Sequence, residues 1–152
     1  MSQREMDLIE TKMRKTFLPV IFTGLLVLLL GLLTGCAGGS EIKTKLGQQF
    51  TLHIGQTAQI EGEQLSITFD GVSEDSRCPR DVLCIRAGEV KCEVTITYQG
   101  SASSITLIQP GMTEPPSETY QVYTFIFSVD PYPEAGKQIP DSDYRLNLTV
   151  KK

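Results

Sequence analysis

Glu89-Val90-Lys91-Cys92-Glu93-Val94-Thr95-Ile96-Thr97-Tyr98-Gln99 decides the fold class of this chain. Val90, Cys92, Val94, Ile96 and Tyr98 fill every second position, with Lys91, Glu93, Thr95 and Thr97 between them. A helix would scatter those apolar residues around its cylinder. A strand puts them all on one face, because successive side chains point to opposite sides. The same period continues outward in both directions. Upstream, Leu65, Ile67 and Phe69 alternate before Asp70-Gly71, and Phe50, Leu52 and Ile54 alternate before Gly55-Gln56. Downstream, Ile105 and Leu107 precede Pro110-Gly111, and Tyr123, Phe125, Phe127 and Val129 precede Asp130-Pro131. Tyr144, Leu146, Leu148 and Val150 close the series, separated by Arg145, Asn147 and Thr149.

Six or seven short strands, each with one apolar and one polar face, read as antiparallel sheet. No amphipathic helical pattern follows residue 40. Two such sheets packed face to face bury one core. The expected fold is therefore all-β, an antiparallel β-sandwich of immunoglobulin-like or related type, with a small β-barrel as the alternative. Two stretches break the alternation. Gln109 to Thr119 carries three prolines and reads as a loop. Asp130 to Asp143 carries Pro131, Pro133, Gly136 and Pro140, and reads as a stiffened excursion between the last two strands.

The N-terminal part is of another kind. Basic Lys12, Arg14 and Lys15 precede the charge-free run Phe17 to Leu33, and small Gly35 and Ala37 follow. That order is a signal-peptide layout. About 20 apolar residues also suffice to span a bilayer, so a retained transmembrane helix is the alternative. The run closes on Leu33-Thr34-Gly35-Cys36, which resembles the lipobox of bacterial lipoproteins. That resemblance implies that the Cys36 thiol is diacylglycerated, that the signal is cut before it, and that the new amino group is acylated, as with palmitate. Acyl chains contribute about 0.8 kcal/mol per buried methylene, and two or more anchor a protein stably. Met13 begins Met-Arg-Lys, a more usual signal start than a segment carrying Glu5, Asp7 and Glu10, so Met13 is the expected initiator. The expected domains are a signal peptide over 1–35, a flexible tether over 36–47 opening with Ala37-Gly38-Gly39-Ser40, and a sandwich over 48–152.

The whole chain has 14 basic and 18 acidic residues; without the 4 and 3 of the leader, 10 and 15 remain, a net charge of −5. Phosphate contacts dominate nucleic-acid affinity, so an acidic domain without a basic stripe argues against that partner. The same charge argues against lying flat on anionic headgroups. The expected setting is extracytoplasmic, cell surface or periplasm. The expected partners are the membrane through its anchor and an envelope protein or glycan.

With Cys36 assigned to lipid, three cysteines remain. Cys78 and Cys84 lie between strands, and a disulfide joining them closes a seven-residue ring worth about 2.4 kcal/mol on the chain-entropy relation. Cys92 belongs to the inward set and reads as a buried free thiol. Pairing of Cys84 with Cys92, leaving Cys78 free, is the alternative. The run Asp75-Ser76-Arg77-Cys78-Pro79, with Cys84 and Ala87-Gly88 after it, is similar to a small, largely uncharacterised group of bacterial secreted and lipid-anchored domains. The likeness covers most of residues 48–150 and implies a fold and a disulfide, not an activity. The usual member has Trp where this chain has Arg86, and this chain holds no Trp.

Catalysis needs converging groups, and none converge in this sequence. His53 is the sole histidine, and no phosphate loop, nucleophile elbow or zinc spacing occurs. No catalytic residue, metal or cofactor is expected. Glu74, Asp75 and Asp81 read as solvated or ion-paired rather than as a calcium site. Asp75 and Arg77 are expected to pair with one another and to bond loop backbone. Arg80, on a loop tied by disulfide, raises a protease-inhibitor reading, since preorganised loops bind at low entropic cost. The leading expectation is a binding or protein-interaction module, and the alternative is a structural or assembly component of the envelope. The first predicts a concave patch gathering Tyr120, Tyr132 and Tyr144. The second predicts an unpaired edge strand or an exposed apolar patch.

Overall fold

A computed structural model describes residues 40–111 and 114–152. The expected signal segment, the expected lipidation position Cys36 and the first residues of the expected tether lie outside the described residues. The described chain is a β-sandwich of nine strands: β1 (Glu41–Thr44), β2 (Gln49–His53), β3 (Thr57–Ile60), β4 (Leu65–Asp75), β5 (Glu89–Tyr98), β6 (Ser101–Pro110), β7 (Ser117–Tyr120), β8 (Tyr123–Asp130) and β9 (Arg145–Lys151). One sheet runs β1-β3-β4-β5-β6 and the other β2-β9-β8-β7. Neither closes into a barrel. All neighbours pair antiparallel except β1 with β3.

The alternating sets became the core. Val90, Cys92, Val94 and Ile96 from β5 are buried with Leu65, Ile67 and Phe69 from β4. Phe125, Phe127 and Val129 from β8, and Leu146, Leu148 and Val150 from β9, face them from the other sheet. Tight turns close the hairpins where the backbone permits left-handed residues: Gln99 and Gly100, at φ 50° and 81°, link β5 to β6 in the two-residue pattern that matches strand twist.

Three expectations need correction. The tether does not extend to Gly47: Glu41–Thr44 pair in register with Thr57–Ile60, and the Gly47 amide bonds the Val150 carbonyl at 2.7 Å. A polar edge strand is held by backbone bonds and by the half-buried Ile42 and buried Thr44, a weak apolar signal. The Pro-rich loop is shorter than expected, because Ser117–Tyr120 form β7 against β8. β4 also runs on past Asp70-Gly71 to Asp75, absorbing the irregularity as register shifts between Phe69 and Gly71 and between Val72 and Glu74.

Antiparallel polarity gathers three connections at one end of the sandwich: residues 76–88 between β4 and β5, the segment after β6, and 131–144 between β8 and β9. The turns at 61–64, 99–100 and 121–122 lie at the other end. There Glu63 accepts hydrogen bonds from the Tyr123 hydroxyl (2.7 Å) and from Lys152 (3.1 Å).

Candidate functional site

The end that carries residues 76–88 is built around one buried guanidinium. The Arg77 side chain has no exposure, and its Nε and Nη2 donate to the two oxygens of Asp75 at 2.8 and 2.6 Å. Nη1 donates to the Val129 carbonyl at 2.7 Å and Nη2 also to the Pro131 carbonyl at 3.0 Å. The guanidinium lies 5.0 Å from the centre of the Tyr132 ring. Asp75 accepts the Arg77 amide at 3.2 Å and the Tyr144 hydroxyl at 3.1 Å. Arg77 and Asp75 thus do pair with one another, and they also join the two sheets.

Strand lengths explain why this network exists. β7 stops opposite Ile126, so the β8 edge at Val129 has no strand beside it. Gln109, buried at the end of β6, accepts the Val129 amide at 2.7 Å while Arg77 takes its carbonyl. Side chains from the first sheet complete a ladder that the second sheet leaves unfinished, as buried backbone polar groups require.

The disulfide joins Cys78 to Cys84, with Cα atoms 5.9 Å apart, and Cys92 is free and buried. The Cys84–Cys92 alternative is thereby excluded. The Cys78 amide bonds the Ala87 carbonyl (2.8 Å) and the Gly111 amide bonds the Gly88 carbonyl (2.8 Å), fastening the base of the loop. Gly88 is required there: at φ +69° a Cβ would sit 1.8 Å from the Ser76 carbonyl oxygen. On the other flank the Arg80 amide bonds the Pro133 carbonyl (3.1 Å), and Asp81 accepts the Ala135 amide (2.8 Å). The loop is pinned to its own base and to the 131–144 excursion.

What the pinned loop presents is apolar. Leu83 and Ile85 are fully exposed, at 105% and 104%, and Val82 is 44% exposed. Arg80, the residue singled out on sequence, instead turns its Nη2 back to the Tyr132 carbonyl at 3.1 Å. That posture weighs against an outward-displayed inhibitor arginine. Arg86 is exposed beside the tip. Leu83 and Ile85 lie outside any alternating run, so periodicity does not mark them; their signal is an uninterrupted Val82-Leu83-Cys84-Ile85 between charged neighbours.

The aromatic patch does not form as expected. Tyr120 pairs with Tyr123 at the opposite end. Tyr144 is only 7% exposed, and burial, followed by the Asp75 charge, pushes its phenol up to about 12. An open cleft of about 320 Å³ lies between the end of β4 and the excursion, lined by Glu74, Asp75, Lys137, Asp141 and Tyr144 among others. A second, of about 450 Å³, lies beside the disulfide against Pro79, Arg80, Val82 and Tyr132. His53 is exposed and stands opposite Arg145 in the β2–β9 ladder, and no group of three metal-ligating side chains converges among the described residues. Comparison with protein-family models, with curated proteins and with solved structures finds no match, so the functional reading rests on the chain's own residues.

Proposed function

We propose that this chain is a lipid-anchored, extracytoplasmic interaction module of the bacterial cell envelope, held by acyl groups on Cys36 and working through its stapled loop end. The observation that carries the interaction reading is the fully exposed pair Leu83 and Ile85 on a loop closed by a disulfide and fixed at its base. Exposed aliphatic side chains gain free energy only when something covers them, and a loop this constrained cannot fold back to cover them itself. The reading is tested by growing bacteria that express the full chain with an alkyne palmitate analogue. The chain should take up the label, and Cys36→Ser should abolish it; label retained by Cys36→Ser sinks the anchorage.

A second reading, an assembly component working through a sheet edge, is favoured by β6. Ser101 to Ile108 carries no charge and no proline, and among the described residues β6 is the outermost strand of its sheet, paired with β5 alone. Long uncharged edges recruit further strands.

A further inference from the structure

From the direction of β1 we infer that the Val82–Ile85 tip enters the lipid surface beside the acyl anchor. This deepens the proposed function and rests on anchorage at Cys36. β1 runs parallel to β3, with Glu41 opposite Thr57, and Thr57 stands opposite Thr68 of β4. β3 runs against β4, so the chain reaches Glu41 from the end where β4 finishes. That is the end that carries the disulfide loop. Between Cys36 and Ser40 there are four residue steps, which span at most about 14 Å. From the level of Thr68, β4 continues seven residues to Asp75 in that same direction, roughly 20 Å once its bulges are allowed for. The loop that carries the tip begins there, at Ser76, and holds Leu83 and Ile85 fully exposed. With the strands standing near the membrane normal, a lipid attached at Cys36 therefore reaches the bilayer only as the loop end meets it.

The chemistry of the tip fits this occupant. Val82, Leu83 and Ile85 form an uncharged apolar cap. Arg86 is exposed beside it, a cation for headgroup phosphates, while Arg80 stays on the Tyr132 carbonyl. Asp81 is occupied by the Ala135 amide. Contact through the tip alone also keeps the rest of an acidic domain clear of anionic lipid.

The natural absence of Trp makes a direct test simple. Leu83→Trp and Ile85→Trp place a single indole at the tip, and Val122→Trp places one at the opposite end, on another exposed residue. Full-chain protein, with acylation of Cys36 verified by mass spectrometry, is reconstituted into phosphatidylcholine vesicles with and without phosphatidylglycerol. The tip indoles should emit to the blue and be quenched by doxyl-labelled lipid several-fold more than the indole at 122. Insertion driven by apolar contact should persist without the anionic lipid. An acylated protein whose indoles at 83 and 122 are equally quenched overturns the inference and leaves the anchorage intact. An indole at 83 shielded only in native membranes, where envelope proteins are present, overturns it in favour of a protein partner. A chain without acyl groups overturns anchorage and inference together.

Discussion

Arg77 concentrates the cost of the loop end in one side chain. Its donors serve Asp75, the Val129 carbonyl and the Pro131 carbonyl, and none reaches water. Arg77→Met removes the charge that Asp75 faces and leaves two carbonyls without donors. Breaking one partner of a buried pair costs about 3–5 kcal/mol, and Arg77→Met should show that loss in denaturant unfolding. Arg77→Lys should recover little, since an ammonium cannot span a carboxylate and two carbonyls in the geometry of a planar fork. A loss below about 1 kcal/mol for Arg77→Met would mean that water replaces the guanidinium freely. Cys92 is the quieter counterpart. Burial pushes its thiol up to about 12, so thiolate is scarce near neutral pH and the sulfur is covered. Ellman's reagent at pH 8 should find no reactive thiol at Cys92 in the folded domain and one after denaturant is added. Rapid reaction without denaturant would show that the core opens at β5.

Among the elements, the edge strand β6 makes the clearest prediction. Its outer side from Ser101 to Ile108 meets no strand among the described residues, and Ala102 and Ile108 are exposed. The protein should self-associate weakly at high concentration in sedimentation, and Ala102→Lys with Ile108→Lys should make it monomeric. Equal association of both proteins removes the edge as the contact. Much of the sandwich was legible because its central strands are buried on one face: β5, β8 and β9 alternate without a break, and their inward sets are the core. β1, β3 and β7 were not legible. Four-residue strands owe their place to backbone pairing, which leaves little trace in side-chain type. The site was legible in part. Cys78, Cys84, Asp75 and Arg77 were readable as a loop clamp because each carries a group that must find a partner. Leu83 and Ile85 carry none, and only their exposure in three dimensions marks them. Gly88 was visible as Ala87-Gly88, but its reason, the approach of the Ser76 carbonyl, depends on the fold.

At the scale of the whole molecule, a buried phenol closes each end of the sandwich. Tyr144 donates to Asp75 at the loop end, and Tyr123 donates to Glu63 at the other. The Glu63 bond above all, then burial, pushes Tyr123 up to about 12, and burial above all pushes Tyr144 to the same region. An unfolded chain sheds these protons near pH 10. Between about pH 10 and 12 the folded state therefore holds more protons than the unfolded one, and stability falls as pH rises. Below pH 10 the contribution of both phenols is fully present. Two of the five tyrosines should ionise near pH 12, followed by absorbance at 295 nm, in step with loss of the far-ultraviolet β signal. Tyr144→Phe keeps the ring and loses the bond to a charged acceptor, so it should cost about 1–3 kcal/mol at pH 7. It should also make the alkaline decline shallower, because one of the two coupled protons is gone. Tyr123 and Tyr144 ionising near pH 10 while the β signal persists would show that neither end is closed in this way, and that the sheets hold through their shared core alone.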